Sequence, residues 1–520
     1  MKKIISLVLS VVLLVTGVIC VAPVSLASED GTSIPVIHVV GTGTPISRYN
    51  EAGEKETVYP MQIPDGYIDE KLDVFLPVFA EAFFTQEWDE FCDVLYEILI
   101  PLFSKMALDK DGNVADGSFV NWSWSKEELA THNDGTYSAT EFKFHYDWRL
   151  DPMVTADTLH QYIEDVMEAT GSEEVALYGR CLGSNMVAAY MKKYDGEHVS
   201  EVIHYASALF GATQCSKMFT GELYLHSDGI ERFIYDIGGD LGLGDTLTDL
   251  IQSLVTLMNK TYGLDIACWA VNNVVEDIYL DIFPRIVGES YATFPSYWSM
   301  VSVEDYDRAM ETMFYDKDVS EYAGLIEKIE YFHDNVRLEF EEDVNAFKER
   351  GIEHSNIVKY GIQTIPVTEN SNELSDQFCT VRESSFGAKT VEVGETFDSK
   401  YIDTAITNST AKYISPDKQI DASTCLMPDT TWFVKNIEHK NFPECFNGLV
   451  SDIVNNDNFT VNDNPEYPQF MVYDETTNTI SPMTAENMNT TERWETNYFD
   501  ALIKFFKAIF ELIKSKLTEA

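Results

Sequence analysis

Gly179-Arg180-Cys181-Leu182-Gly183 sets a cysteine between two glycines, at a spacing that suits a nucleophile. A cysteine thiolate can attack a carbonyl carbon and hold the acyl group as a thioester. The apolar run Val175, Ala176, Leu177 and Tyr178 leads into this segment. A helical pattern of Met186, Val187, Tyr190 and Met191 follows it. Strand, sharp turn, helix is the setting of a nucleophile elbow, which usually reads G-x-S-x-G. The glycines allow the tight turn and the close approach of neighbouring backbone. Taken alone, G-x-C-x-G would equally suit an inert buried cysteine, because a free thiol packs as a small hydrophobe. The rest of the chain must therefore supply the partners.

Acyl transfer needs a base, a group to orient the base, and donors for the oxyanion. In elbow enzymes the chain order is nucleophile, acid, histidine, with the histidine after the last strand of this series. Of ten histidines, His439 has that placement, after the strand pattern Thr431 to Lys435. His204 falls in a core-strand pattern, and His38 precedes the Gly41 loop. For the acid, Ser415-Pro416-Asp417-Lys418-Gln419-Ile420-Asp421 offers two candidates. Asp417 follows a proline-marked break and is preferred; Asp421 is the alternative. Either could also be a surface-turn aspartate. The oxyanion donors are expected to be the backbone N–H groups of Leu182, after the nucleophile, and of Thr42, after the first core strand, with Gly43 close behind. No metal ligand set or cofactor motif is expected. The acidic turn Asp109 to Asn113 lacks the later glutamate of a calcium loop.

These residues need a scaffold of alternating strands and helices. Ile34 to Val40 reads as a buried strand and Phe142 to Tyr146 as a second. Val154 to Thr170 reads as an amphipathic helix, followed by the Val175 strand, the elbow helix and a strand over Val199 to Ala206. That order predicts a mainly parallel sheet with helices on both faces. Pro77 to Ile100 reads as one helix, with Pro77 in its first turn and Phe84, Trp88, Phe91, Leu95 and Ile98 along one face. Residues 210–355 are helical and rich in aromatics, too long for a simple crossover, and are expected to form a cap or lid. The sheet resumes at Ile357. Residues 370–410 read as a second insertion, and residues 471–497 as a polar linker. Residues 28–209 and 356–470 then form the two parts of the core.

The N-terminus predicts a secretory signal: Lys2 and Lys3, an apolar run from Ile4 to Val24, then Ser25-Leu26-Ala27, with cleavage after Ala27. The alternative is an uncleaved anchor. Ile19 before Cys20 argues against lipid attachment there. Removal of the leader leaves 34 basic against 86 acidic residues, a charge of −52. Such a charge excludes a general nucleic-acid binder, which needs clustered lysine and arginine. It suits an exported protein that resists self-association. Seven cysteines remain after cleavage, so at least one thiol stays free or pairs between chains. With Cys181 free, the other six could form up to three disulfides; in an anaerobe all could stay reduced. Oligomeric state is open.

Phe499 to Leu517 predicts an amphipathic helix, with Phe499, Leu502, Ile503, Phe506, Ile509, Phe510, Ile513 and Leu517 on one face. Lys504, Lys507, Glu511 and Lys514 line the other. Such a helix can lie in a membrane interface, or dock on its own protein or a twin.

Phe144-His145-Tyr146-Asp147-Trp148-Arg149-Leu150-Asp151-Pro152 is similar to the Tyr-Asp-Trp-Arg-Leu segment of lecithin–cholesterol acyltransferases and related phospholipid acyltransferases. In that family the segment also precedes the elbow. The Val36–Pro45 loop and the segment from Asp417 to His439 share the likeness, which covers about a quarter of the chain. It implies an α/β-hydrolase core with a helical lid, and hydrolysis or transfer of acyl chains from lipid or other carboxylic esters. It implies a structural role for Asp147 and Arg149. Cys181 departs from the family's serine. A thiol nucleophile does not silence the fold, as dienelactone hydrolases illustrate. Two other readings compete: a catalytically silent fold that binds lipid or a surface partner, and a cell-wall peptidase with the same triad. The retained histidine and acid speak against the first, and nothing marks a peptide groove.

Overall fold

A computed structural model of the chain describes residues 31–519 except 65, 86, 131–134, 139, 223, 238–244 and 489–497. The predicted signal segment, residues 1–27, lies outside the described residues. Eight strands make the main sheet: β1 (Val36–Val39), β2 (Phe142–Phe144), β3 (Val175–Arg180), β4 (Val199–Tyr205), β5 (Glu353–Tyr360), β6 (Thr431–Lys435), β7 (Phe470–Asp474) and β8 (Thr479–Pro482). Their order is β8-β7-β6-β5-β4-β3-β1-β2. All neighbours run parallel except the β7–β8 pair at the edge.

The central strands are buried on both faces, which explains their nearly continuous apolar sequence. β1 and β3 contribute Val36, Ile37, Val39, Val175, Ala176, Leu177 and Tyr178, all buried. The chain leaves β1 toward β2 and returns past it to β3. The order therefore reverses beside β1, and the crevice at the carboxyl ends of β1 and β3 is where a doubly wound sheet places its site.

The helix before β3 spans Pro152–Thr170. Asp151 caps it by accepting from the Met153 N–H at 2.9 Å, Pro152 fills the first turn, and Gly171 ends it at φ 72°. The elbow helix, Leu182–Tyr194, begins directly at the nucleophile position.

Between β4 and β5 the chain forms helices Thr213–Thr220, Ser227–Ile237, Asp245–Lys260, Gly263–Gly288, Tyr306–Phe314, Ala323–Tyr331 and Phe340–Glu349. Their aromatics pack into the core: Phe219 meets Trp298, in the helical turn Pro295–Trp298, edge-on, and Phe314 stacks on it.

Two expectations need correction. The Pro77 to Ile100 helix is two helices, Tyr67–Thr85 and Asp89–Phe103, with Pro77 inside the first and Pro101 inside the second. Phe75, Phe79, Trp88 and Phe91 bring the two together, so a spacing that reads as one face serves two facing helices. The polar linker over 471–497 contains most of β7 and all of β8. Its polarity reflects an edge strand: β8 is largely exposed on its outer side. Of the two states left open for the cysteines, the free one is found: all seven among the described residues are free, and all except Cys445 are buried. A small antiparallel sheet (Ile46–Tyr49, Lys55–Tyr59 and Phe119–Val120) was not anticipated; its Ile46 and Val58 are buried in the core.

The tail helix spans Tyr498–Glu519 and lies along the Asp245–Lys260 helix. Ala501 and Ala508 are buried, whereas Ile503, Phe506 and Phe510 are at least 60% exposed. Small residues thus allow close helix contact, and the aromatic stripe faces outward. No helix among the described residues is long and apolar enough to cross a membrane.

Candidate active site

Cys181 sits at the carboxyl end of β3 with φ 52° and ψ −124°. Such a backbone costs a non-glycine residue about 1–3 kcal/mol, and it persists only where the surroundings enforce it. They do so here. The Cys181 N–H donates to Tyr205 O at 3.0 Å, and Cys181 O accepts from the Ser184 N–H at 3.0 Å. A Cβ at Gly179 would stand 2.8 Å from Ser184 Cα, and one at Gly183 would stand 2.1 Å from Val39 O. Only glycine lets the strand, the turn and the next strand approach so closely. A Cβ at Gly41 would lie 3.1 Å from Cys181 Cβ and 3.7 Å from its sulfur. The loop after β1 therefore abuts the thiol.

His439 follows β6, and its imidazole meets two different neighbours. Nδ1 bonds Asp376 Oδ2 at 2.7 Å, while the His439 backbone N–H donates to Asp376 O at 2.7 Å. Asp376 is fully buried, in the loop after β5. Its other oxygen, Oδ1, accepts from the N–H groups of Cys379 at 2.9 Å and Phe378 at 3.1 Å. On the far side Nε2 faces Cys181. That contact is looser than a strict hydrogen bond, since Nε2 has no partner at full hydrogen-bond geometry. The two groups are nevertheless close enough to shift each other's protonation. Geometries of this kind often tighten only with substrate bound.

The carboxylate that meets His439 is therefore Asp376, not Asp417 or Asp421. Asp417 has other partners. It pairs with Lys435 Nζ at 2.9 Å and accepts from the Ser415 hydroxyl at 2.6 Å and the Tyr360 hydroxyl at 3.3 Å. Asp421 caps the turn Ala422–Thr424, accepting from the Ser423 N–H at 3.0 Å, and takes the Tyr401 hydroxyl at 2.8 Å. Both are buried structural acids. The signal that could have found Asp376 is its place in the loop after the resumed strand. Assigning residues 370–410 to an insertion hid it.

The electrostatics favour an ion pair. Burial pushes the Cys181 thiol up, but His439, the Leu182 N–H and Arg180 together bring it below its ordinary value. Burial pulls the His439 imidazole down, but Asp376 and Cys181 outweigh it and hold it at about 9. Asp376 stays below the usual carboxylate range: burial raises it, but His439, Lys359 and the Cys379 N–H lower it more. Along the line Asp376, His439 and Cys181, each group is thus drawn toward its charged form by the next. Cys181, His439 and Asp376 come from the loops that follow three parallel strands, β3, β6 and β5. The chain has an α/β-hydrolase core.

Of the two expected oxyanion donors, Leu182 directs its N–H at the Cys181 sulfur, and Thr42 lies in the loop that abuts Cys181. That loop is braced by the Asp147-Trp148-Arg149 segment. Trp148 Nε1 donates to Thr44 O at 3.0 Å. Arg149 is fully buried, bonds Asp147 through Nε at 2.9 Å and NH2 at 2.7 Å, and reaches Met106 O and Ser118 Oγ. His38 and His204 are buried away from the triad. His38 stacks on Phe442, and His204 lies edge-on to Phe386.

Asp376, Cys379 and His439 hold ligand atoms within 4.8 Å of one another, and thiolate, imidazole and carboxylate could together take a zinc ion. Burial raises the Cys379 thiol well above its ordinary value, and Asp376 adds to that. A metal would need that thiol deprotonated and the Asp376–His439 bond opened, so the set is better suited to the triad.

No family model matches the chain, and no curated protein matches it. Among solved structures, the chain is similar to the crystal structure of bromoperoxidase from Bacillus anthracis. The likeness covers 63% of this chain and 74% of that one, at 12% identity and a TM-score of 0.16. The fold assignment rests on the strand order and the elbow.

Proposed function

We propose that the protein is an exported, thiol-dependent carboxylic ester hydrolase or acyltransferase acting on lipid or other acyl esters. The observation that carries this reading is the line Asp376–His439–Cys181 at a strained elbow. The Cys181 thiolate attacks the ester carbonyl carbon, and the oxyanion is held by the N–H groups of Leu182 and Thr42. The His439 imidazolium gives its proton to the departing alkoxide, which leaves an acyl thioester. His439, now neutral, takes a proton from water or from an acceptor hydroxyl, amine or thiol as that group attacks. The acyl product leaves and the thiolate returns. Asp376 holds Nδ1 and stabilises the imidazolium throughout.

Two features support an apolar acyl group. Tyr146 and Tyr297 lie close enough to Cys181 to feel its charge, and Tyr297 belongs to a cluster with Tyr291, Phe294 and Trp148. The likeness of residues 144–152 to the lecithin–cholesterol acyltransferase segment points the same way. Peripheral membrane contact through the tail helix fits this reading, with Ile503, Phe506 and Phe510 outward.

The test is turnover of chromogenic esters with short and long acyl chains by the mature protein beside its Cys181→Ala and Cys181→Ser variants. Activity lost in the alanine variant supports the acyl enzyme, and the chain-length profile narrows the substrate. A folded, inactive wild type with an unreactive Cys181 would favour a binding protein.

A further inference from the structure

Lys359 lies on β5, fully buried, beneath the loop that carries His439. Its Nζ donates to Glu438 O at 2.6 Å, His439 O at 2.6 Å and Asn441 O at 3.0 Å. An ammonium has three donors and no acceptor, so every donor is directed at one short stretch of backbone around the base. Tyr205 reinforces the arrangement. Its hydroxyl donates to Asn441 O at 3.1 Å, and its ring centre is 4.9 Å from Nζ. Among the described residues, no carboxylate lies within ion-pair distance of Nζ. A buried cation without a counter-ion is costly, so these carbonyls carry its stabilisation.

We propose that Lys359 is a positioning residue of the acyl-transfer site: its ammonium clamps residues 438–441 and so holds His439 between Asp376 and Cys181. The proposal rests on the reading of Cys181 and His439 as nucleophile and base. It adds a control on that pair that neither the elbow nor the triad supplies. The backbone of His439 is thereby held from two sides, by Lys359 at its carbonyl and by Asp376 at its N–H.

The clamp depends on protonation. A neutral amine has two donors and a lone pair, so one of the three carbonyl contacts becomes repulsive. The charged and titratable groups facing Nζ are Asp376, Arg180, Cys181 and Cys379, with Tyr205 alongside. Burial draws the ammonium down to about 7; Asp376, Cys181 and Cys379 oppose this, and Arg180 adds to it. The clamp is complete below that value and loosens above it.

The test follows iodoacetamide alkylation of Cys181 against pH in the full mature protein, comparing wild type, Lys359→Met, Lys359→Arg and His439→Ala. At about pH 6.5, Lys359→Met should react about tenfold more slowly than wild type. Its profile should move toward that of His439→Ala, and Lys359→Arg should recover part of the rate. A Lys359→Met profile that coincides with wild type while His439→Ala is displaced overturns the clamp and leaves the Cys–His reading standing. A His439→Ala profile that coincides with wild type overturns that reading and the clamp with it. Hydrogen exchange on the wild type covers the case in which Lys359→Met does not fold. Exchange over residues 438–441, corrected for the intrinsic pH effect, should rise between about pH 6 and about pH 8.5. A flat profile overturns the clamp.

Discussion

Asp376 and His439 stand 63 residues apart in the chain and are joined twice, through Nδ1 to Oδ2 at 2.7 Å and through the His439 N–H to Asp376 O at 2.7 Å. The side-chain bond fixes the tautomer, and the backbone bond fixes the distance between the two loops. Asp376→Asn should therefore lower kcat for ester turnover by about tenfold or more while leaving KM little changed, because the amide lacks the charge that stabilises the imidazolium. Steady-state kinetics on a chromogenic ester reads this directly.

Asp417→Ala should behave in the opposite way. It leaves Lys435 without its carboxylate in a largely buried position, which costs about 3 kcal/mol of stability. Denaturant melts should show that loss. Activity per folded molecule should change by less than about threefold.

The Cys181–His439 pair sets a pH dependence. The thiol lies below its ordinary value, so reactivity is lost only as pH falls through that lowered value. The imidazole is held at about 9, so the ion pair persists until pH rises through it. Alkylation should thus be faster at pH 7 than for an ordinary thiol, by about tenfold. His439→Ala should carry the midpoint back upward. The two groups titrate as a pair, and the profile reports the pair rather than either residue.

Gly183→Ala tests the elbow. The added methyl would stand 2.1 Å from Val39 O, against backbone that cannot yield without parting β1 from the elbow helix. The loss should be about 3 kcal/mol or more, visible as insoluble protein or a lowered melting temperature. Cys181→Ser should melt within about 1 kcal/mol of wild type, since it leaves that packing intact.

Trp148→Phe removes the bond to Thr44 O and keeps most of the buried ring. Stability should drop by about 1 kcal/mol. The looser loop should lower kcat by about tenfold, a partial loss of oxyanion stabilisation. Equal kcat in the two proteins would show that this bond does not set the loop.

Deleting residues after Asn497 should weaken sedimentation with anionic lipid vesicles. Truncated and full-length protein sedimenting alike would remove the tail from any account of membrane contact.

Residues 175–191 by themselves determined the elbow. An apolar strand, two glycines around a cysteine and a helical repeat are local patterns, and local sterics leave them few other conformations. His439 was legible for a similar reason, as the one histidine just past the late strand. The acid was not. Asp417, Asp421 and Asp376 are all loop aspartates before His439, and nothing local separates them. Which one meets the imidazole depends on where β5 and β6 lie in the sheet and on Lys435, which already pairs Asp417. The same holds for Lys359: a lysine in a strand reads as an edge or surface residue until the fold buries it beneath the histidine loop. The two facing helices before Phe103 and the edge hairpin after Phe470 were also decided in three dimensions. Helix spacing does not record whether one axis or two carries it, and edge strands are polar like linkers.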